Sequence, residues 1–309
     1  MSIRAILIAS CLLAGTAGAG EYPLPVNGDV VGEVQVIEAR DEDTFVGLAR
    51  TYGVGFDSLK QANPDVDPWL PGKGTRIVIP TEFVLPDAPR EGIVINLPEL
   101  RLYYFPNDGR GTVITHPISI GRMDWGTPLG RTSIVAKAKD PAWYPPQSVR
   151  EEHAANNDPL PAVVPPGPDN PLGKFALRLG IPGYLIHGTN KPAGLGMRVS
   201  HGCIRLFPED IESLFGMVGT GTRVTIVNQP YKVGWADDGL YLEAHPPLQE
   251  EVEDGQWTAT ELTRAFVAAT KSRRADVRWS YAEELMSMAR GIPEIVSVPG
   301  TIADIVADD

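Results

Sequence analysis

The sequence predicts an α+β protein that is mainly β, with a β-sandwich as its largest part. Three observations support this prediction. Residues 33–80 have the pattern of a small β-α-α-β unit, residues 91–228 hold many short strands broken by glycine and proline, and residues 229–309 combine a hairpin with helical patterns. A chain of 309 residues is long enough for about two or three such units.

The first 19 residues have the pattern of a secretory signal peptide. Arg4 precedes an apolar run at 5–13, and the small residues Ala17-Gly18-Ala19 precede the expected cleavage point. The alternative is a lipid-attachment site at Cys11, although the apolar run before it is very short. No later segment is long and apolar enough to span a bilayer. We therefore expect a mature chain in the periplasm with no transmembrane segment.

The β-α-α-β unit covers residues 33–80. Its four predicted elements, in chain order, are 33–37, 44–52, 56–62 and 75–80. The turn residues between them are Asp43-Thr44, Tyr52-Gly53-Val54, Asn63-Pro64 and Pro71-Gly72. This order resembles the LysM module, which binds the N-acetylglucosamine-containing glycan of cell walls. The resemblance implies a glycan partner, and a small α+β domain without a ligand is the alternative.

Residues 81–90 contain two prolines and predict a linker to the β-rich region 91–228. The predicted strands of that region are 93–97, 100–105, 112–120, 132–138, 184–187 and 222–227. A helix is expected from Pro208. Residues 140–174, which we call the long loop, are rich in proline, glycine and asparagine. A loop of this length is usually a lid or a binding wall, and a mobile insertion is the alternative.

The tail, residues 229–309, begins with a predicted hairpin. Two short strands, 231–235 and 240–243, flank Asp238-Gly239, which is a turn signal. Capping-box spacing at 258–261 and 280–283 predicts two helices after it. The tail is therefore expected to be a hairpin and helical appendage.

The formal net charge of −12 argues against nucleic acid as a partner, because phosphate backbones are bound by basic surfaces.

The chain has two cysteines, Cys11 and Cys203, and Cys11 lies in the predicted signal peptide. A mature chain with one thiol has no internal disulfide, so Cys203 is either inert and buried or reactive. Two histidines, His187 and His201, stand near it in sequence, and an imidazole can take the proton of a thiol. On a strand His201 projects to the same side as Cys203. This combination favours a nucleophilic site.

Two other sites could use the same residue types. One cysteine with two histidines could ligate zinc, but the spacing is not a common zinc pattern, and we expect no metal. A papain-like protease also pairs cysteine with histidine, but its local signature and chain order differ.

The segments Ile186-His187-Gly188-Thr189 and Ser200-His201-Gly202-Cys203-Ile204-Arg205 together resemble the signature of the YkuD-type L,D-transpeptidases. The resemblance covers residues 91–228. Flanking segments agree with it, namely Gly126-Thr127-Pro128-Leu129-Gly130, Trp143-Tyr144-Pro145-Pro146 and residues 165–173. With its LysM-like module and its tail, the chain is most similar to the periplasmic subgroup that anchors the outer-membrane lipoprotein of Braun to peptidoglycan.

The resemblance implies a catalytic role for five residues. Cys203 is the expected nucleophile, His187 the general base, and the carbonyl of Gly188 its orienting group. His201, with the N–H groups of Gly202 and Cys203, is expected to shape the oxyanion site.

It also implies substrate contacts around a covered cleft. Arg205 suits a carboxylate of the stem peptide, because its planar fork matches a carboxylate, and a structural salt bridge is its alternative role. The other expected substrate-binding residues are Ser200, Tyr184, Asn190 and Trp143.

The implied reaction transfers a peptidoglycan tetrapeptide stem through a thioester and needs no cofactor. The acceptor is the lysine of an outer-membrane lipoprotein or another stem; water, which makes the enzyme an L,D-carboxypeptidase, is an alternative. A further alternative is a catalytically inactive wall-binding protein in which only the LysM-like module works.

Overall fold

A computed structural model describes residues 20–253 and 259–298. The predicted signal peptide at 1–19 lies outside these residues. Across them the chain forms eighteen strands and seven α-helices. The strands are β1 Gly20–Pro23, β2 Val30–Gly32, β3 Gln35–Glu38, β4 Arg76–Ile79, β5 Glu82–Val84, β6 Gly92–Asn96, β7 Arg101–Phe105, β8 Thr112–Pro117, β9 Ile120–Gly121, β10 Gly130–Lys139, β11 Phe175–Leu179, β12 Leu185–His187, β13 Arg198–Ser200, β14 Ile204–Arg205, β15 Arg223–Val227, β16 Tyr231–Ala236, β17 Gly239–Ala244 and β18 Glu294–Ile295. The helices are α1 Phe45–Tyr52, α2 Phe56–Ala62, α3 Gln147–Ala155, α4 Pro208–Met217, α5 Gln249–Glu253, α6 Ala259–Ala269 and α7 Trp279–Met288.

A nine-stranded sheet forms the centre of the molecule, in the order β1-β8-β7-β6-β15-β10-β11-β12-β14. Strand β10 belongs to both halves of this sheet, because residues 130–133 pair with β15 whereas residues 134–139 pair with β11. A register shift between Ile134 and Ala136 lies at the changeover. Such a bulge bends a strand. The sheet therefore curls at β10, and side chains from both of its halves meet in one core. The predicted class, α+β and mainly sheet, is confirmed.

The main core takes one residue in two from each strand, because successive side chains of a strand point to opposite faces. Ile93 and Leu102 enter it from the first half of the sheet, and Leu177 and Ile186 from the second. The intervening residues of β6, β7 and β8 enter a second core on the other face, with Tyr103 at its centre. Burial on both faces explains why these strands have continuous apolar runs rather than an alternating pattern.

The predicted β-α-α-β order at 33–80 is present. Strands β3 and β4 pair antiparallel, from Gln35 with Ile79 to Glu38 with Arg76, and α1 and α2 pack on them. The cap of α1 is Thr44, whose hydroxyl accepts from the N–H of Gly47 at 3.2 Å. Gly53 ends the helix with φ +62°, which favours glycine. We call this part the N-terminal module.

The expected linker at 81–90 is wrong in its first part. Residues 82–84 form β5, which pairs with β2, and Phe83, Val84 and Leu85 are buried. Residues 20–23 form β1, an edge strand of the main sheet, paired with β8. The segment that follows the predicted signal peptide thus forms one edge of the main sheet, and β14 forms the other.

The tail forms a third unit. Strands β16 and β17 make the predicted hairpin, in register from Tyr231 with Ala244 to Ala236 with Gly239. Helices α6 and α7 cover it, with Leu262, Phe266 and Leu285 in their shared core. We call this part, β16 to β18 with α5 to α7, the C-terminal unit.

Five charged or titratable side chains, here called the ionic cluster, are buried where the C-terminal unit meets the sheet. Nζ of Lys232 lies 2.8 Å from Glu99 Oε2 and 2.9 Å from Glu243 Oε2. Arg101 lies beside Glu99, and Nε2 of His245 lies 2.7 Å from Glu243 Oε1. Burial raises the pKa of Glu99, but electrostatic interactions, above all with Lys232, outweigh it and hold the pKa below its ordinary value.

None of the helices within 20–253 and 259–298 is long and apolar enough to cross a bilayer.

Candidate active site

Two short parallel strands bring the motif residues together. Strand β12 pairs with β14 so that Ile186 lies opposite Ile204 and His187 lies opposite Arg205. Cys203 precedes β14, two residues before Arg205, and therefore projects to the same side. Ile186 and Ile204 fill the core on the other side. The apolar residues of the motif thus fix the strands, and the polar residues His187, Cys203 and Arg205 share one face.

Cys203 is the free cysteine of the described residues, and it is partly buried. Sγ donates to the carbonyl of Gly183 at 3.7 Å. Burial raises the pKa of the Cys203 thiol, while a backbone hydrogen bond from Leu185 and the charge of Arg205 act in the opposite direction. The resting thiol is therefore protonated near neutral pH, and it needs a base to become a nucleophile.

His187 is buried and neutral. Its Nδ1 lies 2.7 Å from the carbonyl oxygen of Gly188. Since a carbonyl only accepts, Nδ1 carries the proton and Nε2 holds the lone pair. Burial, followed by the charge of Arg205, lowers the pKa of His187 to about 3, against the opposing effect of the Gly188 and Leu172 carbonyls. The contact with Gly188 that the resemblance implied is present.

The charge of Arg205 acts on both groups. Its guanidinium lowers the pKa of Cys203 and of His187, so it favours a thiolate and a neutral imidazole together. Burial lowers the pKa of Arg205, and the charge of Cys203 opposes this. Within the described part of the chain, Arg205 forms no ion pair with a carboxylate, and its buried Nε has no hydrogen-bond partner. A structural salt bridge, the alternative role for Arg205, is thus absent from the described residues.

The turn before Cys203 is held by backbone contacts. Gly202 has φ +97°, and a Cβ there would lie 3.0 Å from the ring of Tyr184. The buried hydroxyl of Thr127 donates to the Gly202 carbonyl at 2.8 Å. The hydroxyl of Ser200 donates to the Cys203 carbonyl at 2.5 Å, and Ser200 is fully buried. Ser200 therefore shapes the turn, and the substrate contact expected for it does not fit its burial. Tyr184 covers the turn, with its hydroxyl donating to the Gly126 carbonyl at 3.1 Å.

His201 faces the long loop. Its Nε2 lies 2.9 Å from Glu152 Oε2, and its ring meets the edge of Trp125. The second oxygen of Glu152 accepts from Arg122. Burial lowers the pKa of His201, and its hydrogen bond and charge interaction with Glu152 oppose this. No hydrogen bond of the described residues joins His201 to the thiol, so the oxyanion role expected for it stays a prediction.

The long loop has structure of its own, which the sequence did not predict. Helix α3 lies within it, and Trp143 pairs through its backbone with Val164. The buried amide of Asn170 joins both ends of the loop, donating to the Pro141 and Val164 carbonyls and accepting from the Leu172 N–H. Asn190 donates to the Asp169 carbonyl at 3.2 Å, so it contacts the loop. The roles of Trp143 and Asn190 in substrate binding stay predictions.

A pocket of about 280 Å³ opens beside Arg205. The residues that line it are Ser119, Thr189, Lys191, Gly194, Leu195, Val199 and Arg205. Most of them come from the segment between His187 and Cys203. The hydroxyl of Ser119 holds this segment, donating to the Gly194 carbonyl and accepting from the Gly196 N–H, each at 3.1 Å. The pocket meets the motif at Arg205, but neither Cys203 nor His187 lines it, so the covered cleft expected around the cysteine stays a prediction.

One group of described residues has the donor types of a metal site, namely Glu99, Glu243 and His245. It lies in the ionic cluster, and Lys232 already contacts both carboxylates. An ammonium group thus neutralises these acids.

Sequence reasoning missed several residues of this site. Glu152 is 49 residues from His201, and no motif links the two. Lys191 and Ser119 belong to no motif, and only the folded structure shows that they line the pocket. Asn170 belongs to the Pro-Gly-Pro-Asp-Asn-Pro run, which contributed to the family resemblance. The run did not indicate that the Asn170 amide joins the ends of the loop.

Known proteins similar to this chain are L,D-transpeptidases, in agreement with the arrangement of Cys203 and His187. The family model of the L,D-transpeptidase catalytic domain, YkuD, matches residues 90–226. The chain is 43% identical over 294 residues to "Probable L,D-transpeptidase YcfS" of Escherichia coli (strain K12), covering 92% of this chain and 91% of that protein. It is 41% identical over 304 residues to "Probable L,D-transpeptidase YbiS" of the same organism, covering 95% and 98%. The solved catalytic domain from the E. faecium L,D-transpeptidase is 25% identical and covers 46% of this chain and 100% of that one, with a TM-score of 0.34. The two Escherichia coli relatives, similar along more than nine-tenths of this chain, show that the chain belongs to the YkuD family of L,D-transpeptidases.

Proposed function

We propose that this chain is a peptidoglycan L,D-transpeptidase in which Cys203 is the nucleophile and His187 the general base. The observation that carries the proposal is the state of His187. Its Nδ1–H is committed to the Gly188 carbonyl, so the basic Nε2 belongs to a neutral imidazole on the face that also holds Cys203. Family membership, shown by the relatives, supports the same assignment.

In the first step Cys203 attacks the carbonyl that joins diaminopimelate to the terminal D-alanine of a tetrapeptide stem. The thiol proton passes to Nε2 of His187, and the new S–C bond forms a tetrahedral oxyanion. N–H groups of the Gly202 turn are suited to stabilise it, because φ +97° at Gly202 orients this backbone differently from a strand. The C–N bond then breaks, the proton moves to the leaving amine, and D-alanine departs from a thioester.

In the second step an amine attacks the thioester. His187 takes a proton from the attacking amine, the C–S bond breaks, and the Cys203 thiolate regains the proton. A lysine side chain of an outer-membrane lipoprotein gives anchoring, and the side-chain amine of another stem gives a crosslink. Water gives trimming only. Arg205 stabilises the thiolate in both steps, because its charge lowers the pKa of Cys203.

We further propose that the N-terminal module is a LysM module that holds the enzyme on wall glycan in the periplasm, after export by the signal peptide at 1–19. The order β3-α1-α2-β4 supports this assignment. The exposed side chains Trp69 and Leu70 give the module an apolar surface that suits sugar rings.

The direct test is turnover of disaccharide tetrapeptide with each acceptor, read by mass spectrometry of the products. We expect D-alanine release with a lipoprotein peptide that ends in lysine, or with a second stem. Cys203→Ala should lose all transfer while keeping its thermal unfolding temperature. Products from the Cys203→Ala variant would overturn the assignment. Sacculus binding without any D-alanine release by the unmodified chain would favour the inactive wall-binding alternative.

A further inference from the structure

We propose that the pocket beside Arg205 binds a free carboxylate of the peptide stem between Lys191 and Arg205, and that the enzyme thereby selects ionised stems over amidated ones. This inference rests on the proposed function, since it names the chemical group that the same site recognises. Its support comes from the charge of the pocket, the missing partner of Arg205 and the fixed position of the pocket wall.

The pocket is positive in an acidic protein. The chain has a formal net charge of −12, yet the residues that line this pocket include Lys191 and Arg205 and no acid. Ser119 and Thr189, the other polar side chains of the wall, already bond to the backbone of the segment around the pocket. The two cations are therefore the side chains of the wall that remain to bind a ligand.

Arg205 differs from the other arginines around the site. Arg122 pairs with Glu152, Arg198 pairs with Glu250 through two bonds of 2.7 and 2.9 Å, and Arg50 pairs with Glu209. Arg205 is partly buried, and no carboxylate of the described residues neutralises its charge. Burying an unpaired charge is unfavourable. A substrate carboxylate supplies the missing charge and matches the planar fork of the guanidinium.

The wall that carries Lys191 is fixed before substrate arrives. Ser119 holds Gly194 and Gly196, and the N–H groups of Phe56 and Asp57 in the N-terminal module donate to the Leu195 and Gly196 carbonyls at 3.3 and 3.2 Å. A preformed site loses little conformational entropy when it binds. The pocket therefore has the rigidity that selection by charge requires.

A tetrapeptide stem offers two carboxylates near the scissile bond, one at the terminal D-alanine and one on the side chain of diaminopimelate. An amide is the neutral isostere of each. The experiment is titration calorimetry of Cys203→Ala with three synthetic stems, namely the free acid, the D-alanine amide and the diaminopimelate amide. We expect the affinity to fall about tenfold or more for one amide, which identifies the carboxylate that enters the pocket.

Lys191→Met should weaken binding of the free acid severalfold, because Arg205 alone then faces the carboxylate, and should leave the affinity for that amide unchanged. Lys139→Met, an exposed lysine at the end of β10, is the matched control and should change nothing. Equal affinity for all three stems, or an equal loss for acid and amide in Lys191→Met, would overturn the inference. Because binding is measured without turnover, these outcomes are separate from a failure of D-alanine release, which would overturn the proposed function.

Discussion

The N-terminal module and the C-terminal unit attach to the same catalytic sheet by different physical means. The C-terminal unit uses the ionic cluster, in which Lys232, Glu99 and Glu243 are all buried. The N-terminal module uses backbone hydrogen bonds to Leu195 and Gly196 and a partly exposed ion pair. The first attachment lies in the interior, and the second lies at the wall of the pocket.

The difference separates stability from function. A buried charge that loses its partner destabilises a fold strongly, whereas an exposed pair contributes little. The C-terminal unit should therefore control whether the protein folds. The N-terminal module contributes less stability, but its contacts set the position of the segment between His187 and Cys203. The partly buried ion pair between Arg198 and Glu250 of α5 joins the C-terminal unit to that segment.

The largest effect is expected from Lys232→Met. It leaves two carboxylates buried without their main counter-charge, so the free energy of unfolding should fall by about 3–5 kcal/mol. Urea unfolding measures this change. The control is Lys73→Met, because Lys73 pairs with Asp41 at 3.5 Å on the exposed surface, and a change below about 1 kcal/mol is expected. Similar losses in the two variants would mean that the buried cluster contributes no more to stability than an exposed ion pair does.

His187, in the catalytic centre, should make the free energy of unfolding depend on pH. The unfolded chain binds a proton at His187 with the ordinary pKa of 6.5, and the folded chain binds it with a pKa of about 3. Protonation therefore favours the unfolded state, and stability is present above pH 6.5 and lost as the pH falls toward 3. The loss at pH 4 should be about 3 kcal/mol.

His187→Gln, which can still donate to the Gly188 carbonyl, should lack this part of the acid loss. Urea midpoints of both proteins between pH 7 and pH 4 measure it. Parallel curves for the two proteins would mean that His187 is not buried in its neutral form.

A smaller effect on substrate binding is expected from Gly55→Ala in the module. Gly55 has φ −79°, which alanine adopts freely, but the added Cβ would lie 3.0 Å from Cα of Gly196. The pocket wall must shift by a few tenths of an ångström, and the KM for the stem should rise about three- to tenfold. Alkylation of Cys203 by iodoacetamide should stay unchanged.

Gly47→Ala is the matched control, because its Cβ would lie 3.5 Å from Thr44 Oγ1 on the exposed side of α1. It should stabilise the module by about 1 kcal/mol and leave KM unchanged. An unchanged KM in Gly55→Ala would show that the module does not position the wall.

The smallest effect is expected at the surface pair of Arg50 and Glu209, which joins the module to α4 by bonds of 2.7 and 2.9 Å. Arg50→Glu should lower the unfolding free energy by about 1 kcal/mol or less, and high salt should reduce the difference. Adding Glu209→Arg should restore the lost stability. A double variant no more stable than Arg50→Glu would show that the pair does not contribute to docking.

The sequence predicted the features that depend on neighbours in the chain. The strands on either side of the motif, the hairpin at β16 and β17 and the helices α1 and α2 all follow from local periodicity and turn residues. Helix α3 escaped prediction because Val149 is its one buried residue, so it has no apolar face. Strand β5 was taken for part of a linker because Pro86 and Pro89 follow it closely in the sequence. Phe83 is buried by contacts in the second core, which the local sequence does not show.

The residues of the site also fall into those that the local sequence predicts and those that only the fold brings together. Cys203, His187 and Arg205 were identifiable because they lie within one motif. Glu152 was not, because it reaches His201 from a helix that the sequence did not predict. The burial of Ser200, which argues against substrate contact, is likewise a property of the folded turn.

The most direct test of the catalytic assignment is the covalent product of the enzyme with a carbapenem, located by mass spectrometry of its peptides. The account predicts one adduct per chain, on the peptide that carries Cys203, and no adduct in Cys203→Ala. His187→Gln should form the same adduct at least about a hundredfold more slowly. An adduct on any other residue, or one that persists in Cys203→Ala, would contradict the account.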